Sequence, residues 1–273
     1  MLSEQREAGA ERAATEYELK FVVPLERARA FLGAMRDRLR VNVYDAAWPV
    51  AFARTTYLDT LDWRYLSCSS ADVLRRLRIR QYAGAPDDGV PARLTGVCFL
   101  EYKESAASQR RKARLRIVPQ DIAVILRDPR AGLATYRHRG IDAADVLLRE
   151  MAGVTLVPRL MTWYRRQSLT DAGGRVRVTL DTEIAFCLPL DPAVMSEGGT
   201  YECEPVRGVG QAPECLLEIK YERTPPDWLT AAVRTLGAPP AVRLSKYVMG
   251  IQSLDSARRP GRVAAGRIPR APT

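Results

Sequence analysis

Six segments of this chain alternate between charged and apolar residues, and that pattern restricts the fold more than any other feature. In "TEYELK" (15–20), Glu16, Glu18 and Lys20 interleave with Tyr17 and Leu19. Arg76, Arg78 and Arg80 interleave with Leu77 and Ile79, and Glu101 and Lys103 with Leu100 and Tyr102. Lys112, Arg114 and Arg116 alternate with Ala113, Leu115 and Ile117. Arg175, Arg177, Thr179 and Asp181 oppose Val176, Val178 and Leu180, and Glu218 and Lys220 oppose Leu217, Ile219 and Tyr221. Successive side chains of an extended strand point to opposite faces. Each segment is therefore a strand with one charged and one apolar face. A single strand of this kind is ordinary in a sheet wetted on one side. Six of them, with arginine and lysine dominating and glutamate in the minority, predict the inverse of a small barrel with an apolar interior. The expected fold is α+β: a closed antiparallel eight-stranded β-barrel with a charged lumen and surrounding helices on its apolar outer wall.

The rest of the chain supplies enough elements for this. Strand-like runs cover 17–23, 52–58, 73–82, 97–104, 113–118, 160–169, 176–186 and 215–221, many joined by turn-rich pieces typical of antiparallel pairing. Residues 83–96 would connect two of them as a long loop, 170–175 as a tight hairpin, and 187–213 read as a long mobile loop. Leu25, Ala28, Leu32, Met35 and Leu39 recur at helical spacing after Pro24, which suits a first turn. Further helices are expected over 141–153, over 225–237 with Gly237 as a C-cap, and from about Ser245 through Leu254. Residues 120–158 show no interpretable motif, and His138 within them reads as a surface histidine. A single tunnel-barrel domain over 15–254 would follow a flexible stretch at 1–14. It would precede a basic disordered tail at 255–273, in which five arginines and three prolines fall.

Composition excludes several chemistries. Five cysteines without a C-x-x-C pair favour reduced thiols over a disulfide framework or a zinc site. One histidine leaves no basis for a histidine-based metal site or a Ser-His or Cys-His nucleophile. The polar first residues lack a signal-peptide core, and no run approaches the roughly 20 apolar residues of a membrane span. These readings predict a cytoplasmic protein.

The formal net charge of +10 points to an anionic partner. Stripping water from an unpaired charge costs several kcal/mol, and the glutamates can pair only part of the excess. A lumen crowded with cations therefore calls for an anion. Arginine recognises phosphate in a planar, bidentate way and lysine supplies point charges. A linear polyphosphate fits such a tube. Glu16, Glu18 and Glu218 then form a candidate oxygen ligand set for Mg²⁺ or Mn²⁺ shared with phosphate. Specific nucleic-acid binding fits less well, because no aromatic stacking platform interleaves with the basic residues.

At these residues the sequence resembles a known family. "TEYELK" is similar to the E-x-E-x-K signature of the triphosphate tunnel metalloenzymes (the CYTH-like superfamily). "RLRIRQY", "EYKES", "RVRVTLDTEI", "LLEIKY" and "RLSKYVMG" add to the likeness, which spans residues 16–252. The last three resemble the VTC branch: the polyphosphate polymerase domain of the vacuolar transporter chaperone complex and its bacterial relatives. The resemblance implies that Lys20, Arg78, Arg80, Lys103 and Lys112 hold phosphates along one half of the tunnel, and Arg166 and Arg177 from the opposite wall. Arg165 or Arg166 could face inward, and the family spacing favours Arg166. It also implies that Glu218 is the acidic metal ligand with Glu16 and Glu18 nearby and Lys220 beside it, while Arg243, Ser245 and Lys246 grip a phosphate at the tunnel's end. A lysine at a helix N-terminus independently asks for an anion there. Arg243 stands where the family often has lysine, a change of geometry at constant charge.

The implied activity is metal-dependent transfer of the γ-phosphate of ATP to a growing inorganic polyphosphate chain. A triphosphatase acting on inorganic, nucleoside or thiamine triphosphate is the alternative, as is a non-catalytic polyphosphate-binding module. Eukaryotic members carry an inositol-phosphate-sensing SPX domain and membrane helices, and this sequence shows neither. Regulation and translocation would fall to separate chains, a membrane protein among them, which could hold this one at the inner face of a membrane. The oligomeric state stays open.

Overall fold

The computed structural model describes residues 16–67, 73–105, 110–137, 142–196, 208–211, 214–241 and 244–258. Ten strands are β1 (Glu16–Val23), β2 (Leu39–Val41), β3 (Val50–Thr60), β4 (Leu74–Ala85), β5 (Arg93–Ser105), β6 (Arg110–Ile117), β7 (Leu156–Asp171), β8 (Val176–Cys187), β9 (Gly208–Gln211) and β10 (Cys215–Glu222). Eight helices are α1 (Leu25–Ala34), α2 (Arg64–Ser67), α3 (Ile122–Arg127), α4 (Pro129–Arg137), α5 (Asp142–Met151), α6 (Pro192–Ser196), α7 (Asp227–Thr235) and α8 (Lys246–Arg258).

All strands belong to one antiparallel sheet in the order β1-β10-β8-β7-β3-β4-β5-β6, with β2 beside β7 and β9 beside β8. Eight strands thus form the main path, but the expected closed barrel does not occur: β1 and β6 end the path, and among the described residues no ladder joins them. The sheet instead curls far enough to bring Lys112 of β6 within electrostatic reach of Lys220 on β10, and Arg76 of β4 within reach of Glu18 and Glu218. Lys112 and Lys220 repel each other across the interior.

Register sorts every strand into an inner and an outer face. Lys20 lies opposite Glu218, Glu218 opposite Thr179, and Lys220 opposite Arg177. Arg166 lies opposite Asp181, Arg78 opposite Tyr57 and Glu101, and Lys103 opposite Lys112. These residues share the inner face. Outside, Leu77, Ile79, Leu100, Tyr102 and Leu115 form one apolar core with residues of α3, α4 and α5. Phe21, Val178, Leu180, Leu217 and Ile219 form a second with α1 and α7. The expected apolar outer wall under helices is therefore present.

At one end the inner face turns apolar. On β8 the parity shifts between Asp181 and Ile184, where Glu183 takes φ 55° and the pairing with β7 changes register. This bulge turns Ile184 and Phe186 inward, so the strand is charged on one side of it and apolar on the other. Helix α8 covers that apolar end, packing Tyr247, Ile251 and Leu254 onto Tyr57, Leu160, Phe186 and Leu216. Gly250 allows the approach: a Cβ there would lie 2.3 Å from Leu160 Cδ2 and 2.8 Å from Phe186 Cδ1.

Several local expectations shift. The first helix stops at Ala34 and Leu39 begins β2, so its helical spacing is coincidental. The stretch 120–158 holds α3, α4 and α5, and 187–213 contains α6 and β9. Cys98 and Cys215 are free and buried, whereas Cys187 is disulfide-bonded, against the expectation of reduced thiols throughout. His138 and both chain ends lie outside the described residues. Among the described residues no helix is long and apolar enough to cross a membrane.

Candidate functional site

The inner face gathers its charges into three groups. In the first, β1 and β10 set Glu18, Lys20, Glu218 and Lys220 side by side. Lys20 Nζ lies 3.3 Å from Glu18 Oε2, and Lys220 Nζ lies 3.7 Å from Glu18 Oε1. The Glu218 carboxyl touches that of Glu18; burial opposes its charge, but Lys20, Arg166 and Lys220 outweigh this and hold it well below the usual range. Burial in turn pulls Lys20 below its ordinary value despite Glu18.

The second group spans β4, β5 and β6. Glu101 is 2 % exposed and sits between two arginines, Arg78 Nη2 at 2.6 Å and Arg114 Nε at 3.1 Å. Burial disfavours its charge, yet Arg78, Lys103, Arg80 and Arg114 together keep it ionised far below the carboxylate norm. One acid cannot balance so many cations. Arg78 foremost, then burial, drives Lys103 well below the ordinary lysine value, with Lys112 adding to the repulsion.

The third group forms where the charged and apolar ends meet. Asp181, 2 % exposed, accepts two hydrogen bonds from Arg166 and one from Lys246 Nζ, each 2.6 Å. Tyr164 OH accepts from Arg80 Nη1 at 2.8 Å, and its ring lies 4.6 Å from Lys246 Nζ. Burial would raise the Tyr164 phenol, but Arg80, Arg166 and Lys246 bring it down to about 8. The buried Nη2 of Arg80 has no hydrogen-bond partner among the described residues. Lys246 opens α8, and the anion it meets there is the Asp181 carboxylate. Ser245, just before it, has a buried hydroxyl that bonds to nothing among the described residues.

The expected residues come together: Glu18, Lys20, Arg78, Arg80, Lys103, Lys112, Arg166, Glu218, Lys220 and Lys246 all contribute to this inner face. Arg177 shares it by register, opposite Lys220. Arg165 pairs instead with Asp88 at 2.8 Å, so Arg166 is the inward residue. Glu16 begins β1 opposite Glu222, its side chain outside the described set, and Arg243 also falls outside. Asp181, Tyr164 and Glu101 were not singled out as site residues. The alternation carried a signal for Asp181 and Glu101. Tyr164 gave none, because only the bulge opposite it fixes its surroundings.

The donor chemistry fits a divalent cation. Glu18 and Glu218 offer carboxylate oxygens at one place, although among the described residues no three acidic, histidine or cysteine side chains gather as a metal cluster. A small hard cation such as Mg²⁺ is commonly held by one or two carboxylates, with phosphate oxygens and water completing its shell.

The curved sheet is lined by an excess of cations and one carboxylate couple. Residues 15–255 match the model of the VTC domain, and the chain belongs to that family. No curated protein matches the sequence. Solved structures similar to this chain include a protein from Hippeastrum designated an adenylyl cyclase with dominant triphosphatase activity. It is 16 % identical, with TM-score 0.48, covering 87 % of this chain and 95 % of that one. Another, designated an adenylate cyclase, comes from Bacillus halodurans: 12 % identity, TM-score 0.46, covering 86 % and 96 %.

Proposed function

We propose that this protein is a polyphosphate polymerase, with residues 15–254 as one catalytic unit. Membership of the VTC family supports a polyphosphate-related activity. The single observation that carries the reading is the excess of cations on the inner face, crowded enough to depress Lys103. Such a surface gains from a multiply charged linear anion, with arginine forks on its oxygens.

In this reading the terminal phosphate oxygen of the growing chain attacks the γ-phosphorus of ATP. The bond from that phosphorus to the β–γ bridging oxygen breaks, and ADP leaves. No protein nucleophile is required: positioning and charge stabilisation suffice for phosphoryl transfer. Lys20, Arg78, Arg80, Lys103 and Arg177 align the phosphates, with Lys112, Arg166, Lys220, Arg243, Ser245 and Lys246 extending the track. Glu218 and Glu18, with Glu16 beside them, would hold Mn²⁺ or Mg²⁺, which when bound neutralises developing negative charge. Helix α8 limits entry of water at its end of the interior, which matters because water is the competing nucleophile.

Incubation with γ-labelled ATP and Mn²⁺ tests the proposal. A ladder of lengthening polyphosphate with stoichiometric ADP is expected, and both are lost in Lys103→Ala and Glu218→Ala. Orthophosphate without a ladder would replace the polymerase by a triphosphatase. Neither product, with polyphosphate still bound, would leave a binding module.

A further inference from the structure

Three arginines of β4 share the inner face, and protein acceptors hold two of them. Arg78 Nε donates to Glu101 at 2.7 Å, and Arg80 donates to the hydroxyls of Tyr82 and Tyr164 at 2.9 and 2.8 Å. Arg76 differs: it has no hydrogen bond or ion pair among the described residues, and its Nε is buried without an acceptor. Arg76 is half-buried, and a guanidinium whose Nε has no acceptor can still grip an oxyanion, so the position is suited to an anion from outside the chain.

Its surroundings narrow the choice of anion. Lys103 is its direct register partner on β5, and Arg78 presses on it from the same strand. Glu18 and Glu218 face it across the interior. A ligand here must give negative charge to Arg76, Arg78 and Lys103 while lying against two carboxylates. A simple anion would be repelled by the second set. A phosphate carrying a divalent cation meets both demands, with the metal toward the carboxylates and free oxygens toward the guanidinium.

We propose that Arg76 is a further phosphate-binding residue, gripping the phosphate that lies against the Glu18–Glu218 pair and so linking phosphate affinity to metal. This rests on the reading of the inner face as a polyphosphate site.

The test is calorimetric titration of tripolyphosphate into the full chain, with Mn²⁺ and separately with EDTA. Wild type, Arg76→Gln, Arg76→Lys and Arg111→Gln are compared; Arg111 sits on the outer face of β6, 52 % exposed. Wild type should bind more tightly with Mn²⁺. Arg76→Gln should weaken the Mn²⁺ form about tenfold or more and lose most of the metal enhancement. Arg76→Lys should fall between, and Arg111→Gln should stay within about twofold of wild type. Without ligand, Arg76→Gln should melt no lower than wild type, since it removes a cation whose burial, with repulsion from Arg78, outweighs its attraction to Glu18 and Glu218. If that variant does not fold, Arg76→Lys decides, because unchanged affinity there removes the guanidinium from the site. Arg76→Gln binding like wild type, or losing no more than Arg111→Gln, overturns the inference alone. A wild type that fails to bind tripolyphosphate overturns the polyphosphate reading with it.

Discussion

Lys103 shows at the level of one residue how crowded the cations of the inner face are. Its ammonium stands among Arg78, Arg80 and Lys112 with Glu101 as its acid, and Arg78 followed by burial depresses its proton affinity. The sign of the consequence is fixed by linkage. Between the depressed value and about 10.4, the folded chain holds fewer protons than the unfolded one, so free-protein stability rises with pH across that window. An anion against the ammonium restores its proton, so polyphosphate binding at alkaline pH should take protons up. Calorimetry of tripolyphosphate binding at pH 9 in buffers of different ionisation enthalpy measures this. Uptake is expected in wild type and should shrink in Lys103→Met, whereas equal uptake in both would move the effect to another group. Lys103 was legible in the sequence from "EYKES" alone. Asp181 was legible only as a position on a charged face, because its bonds come from Arg166 on another strand and Lys246, 65 residues away.

Among the elements, β8 and α8 divide the interior. The alternation of Arg177, Thr179 and Asp181 announced an inward charged face, and that much of β8 follows from residue order. The bulge at Glu183 did not announce itself, since a non-glycine residue at φ 55° carries no sequence mark. It inverts the pattern so that Ile184 and Phe186 meet the last helix. Helix α8 was expected from about Ser245 because of "KYVMGIQSL", but its seat inside the curved sheet depends on Gly250. Gly250→Val should force branched carbons against Leu160 and Phe186 and lower stability by about 2 kcal/mol, read as a fall in the urea midpoint. An unchanged midpoint would mean that α8 is not tightly seated. The same distinction explains most of the missed elements: α2, α3 and α6 have four, six and five residues, β2 and β9 three and four, and so brief a pattern is ambiguous.

At the scale of the whole molecule, the expectation of a charged interior beneath an apolar wall was sound, while the expectation of closure was not. Alternation fixes which face of a strand is inward but says nothing of whether the first and last strands meet. Here, among the described residues, β1 and β6 are not paired with each other, and Lys112 of β6 lies within electrostatic reach of Lys220 on β10. The most direct test is a crystal structure of the full chain with tripolyphosphate and Mn²⁺. A phosphate-binding interior requires phosphate groups within hydrogen-bond distance of Arg78, Lys103 and Lys20, and a metal on Glu18 and Glu218. Tripolyphosphate bound only on the outer surface, with the inner cations still facing one another, would contradict it.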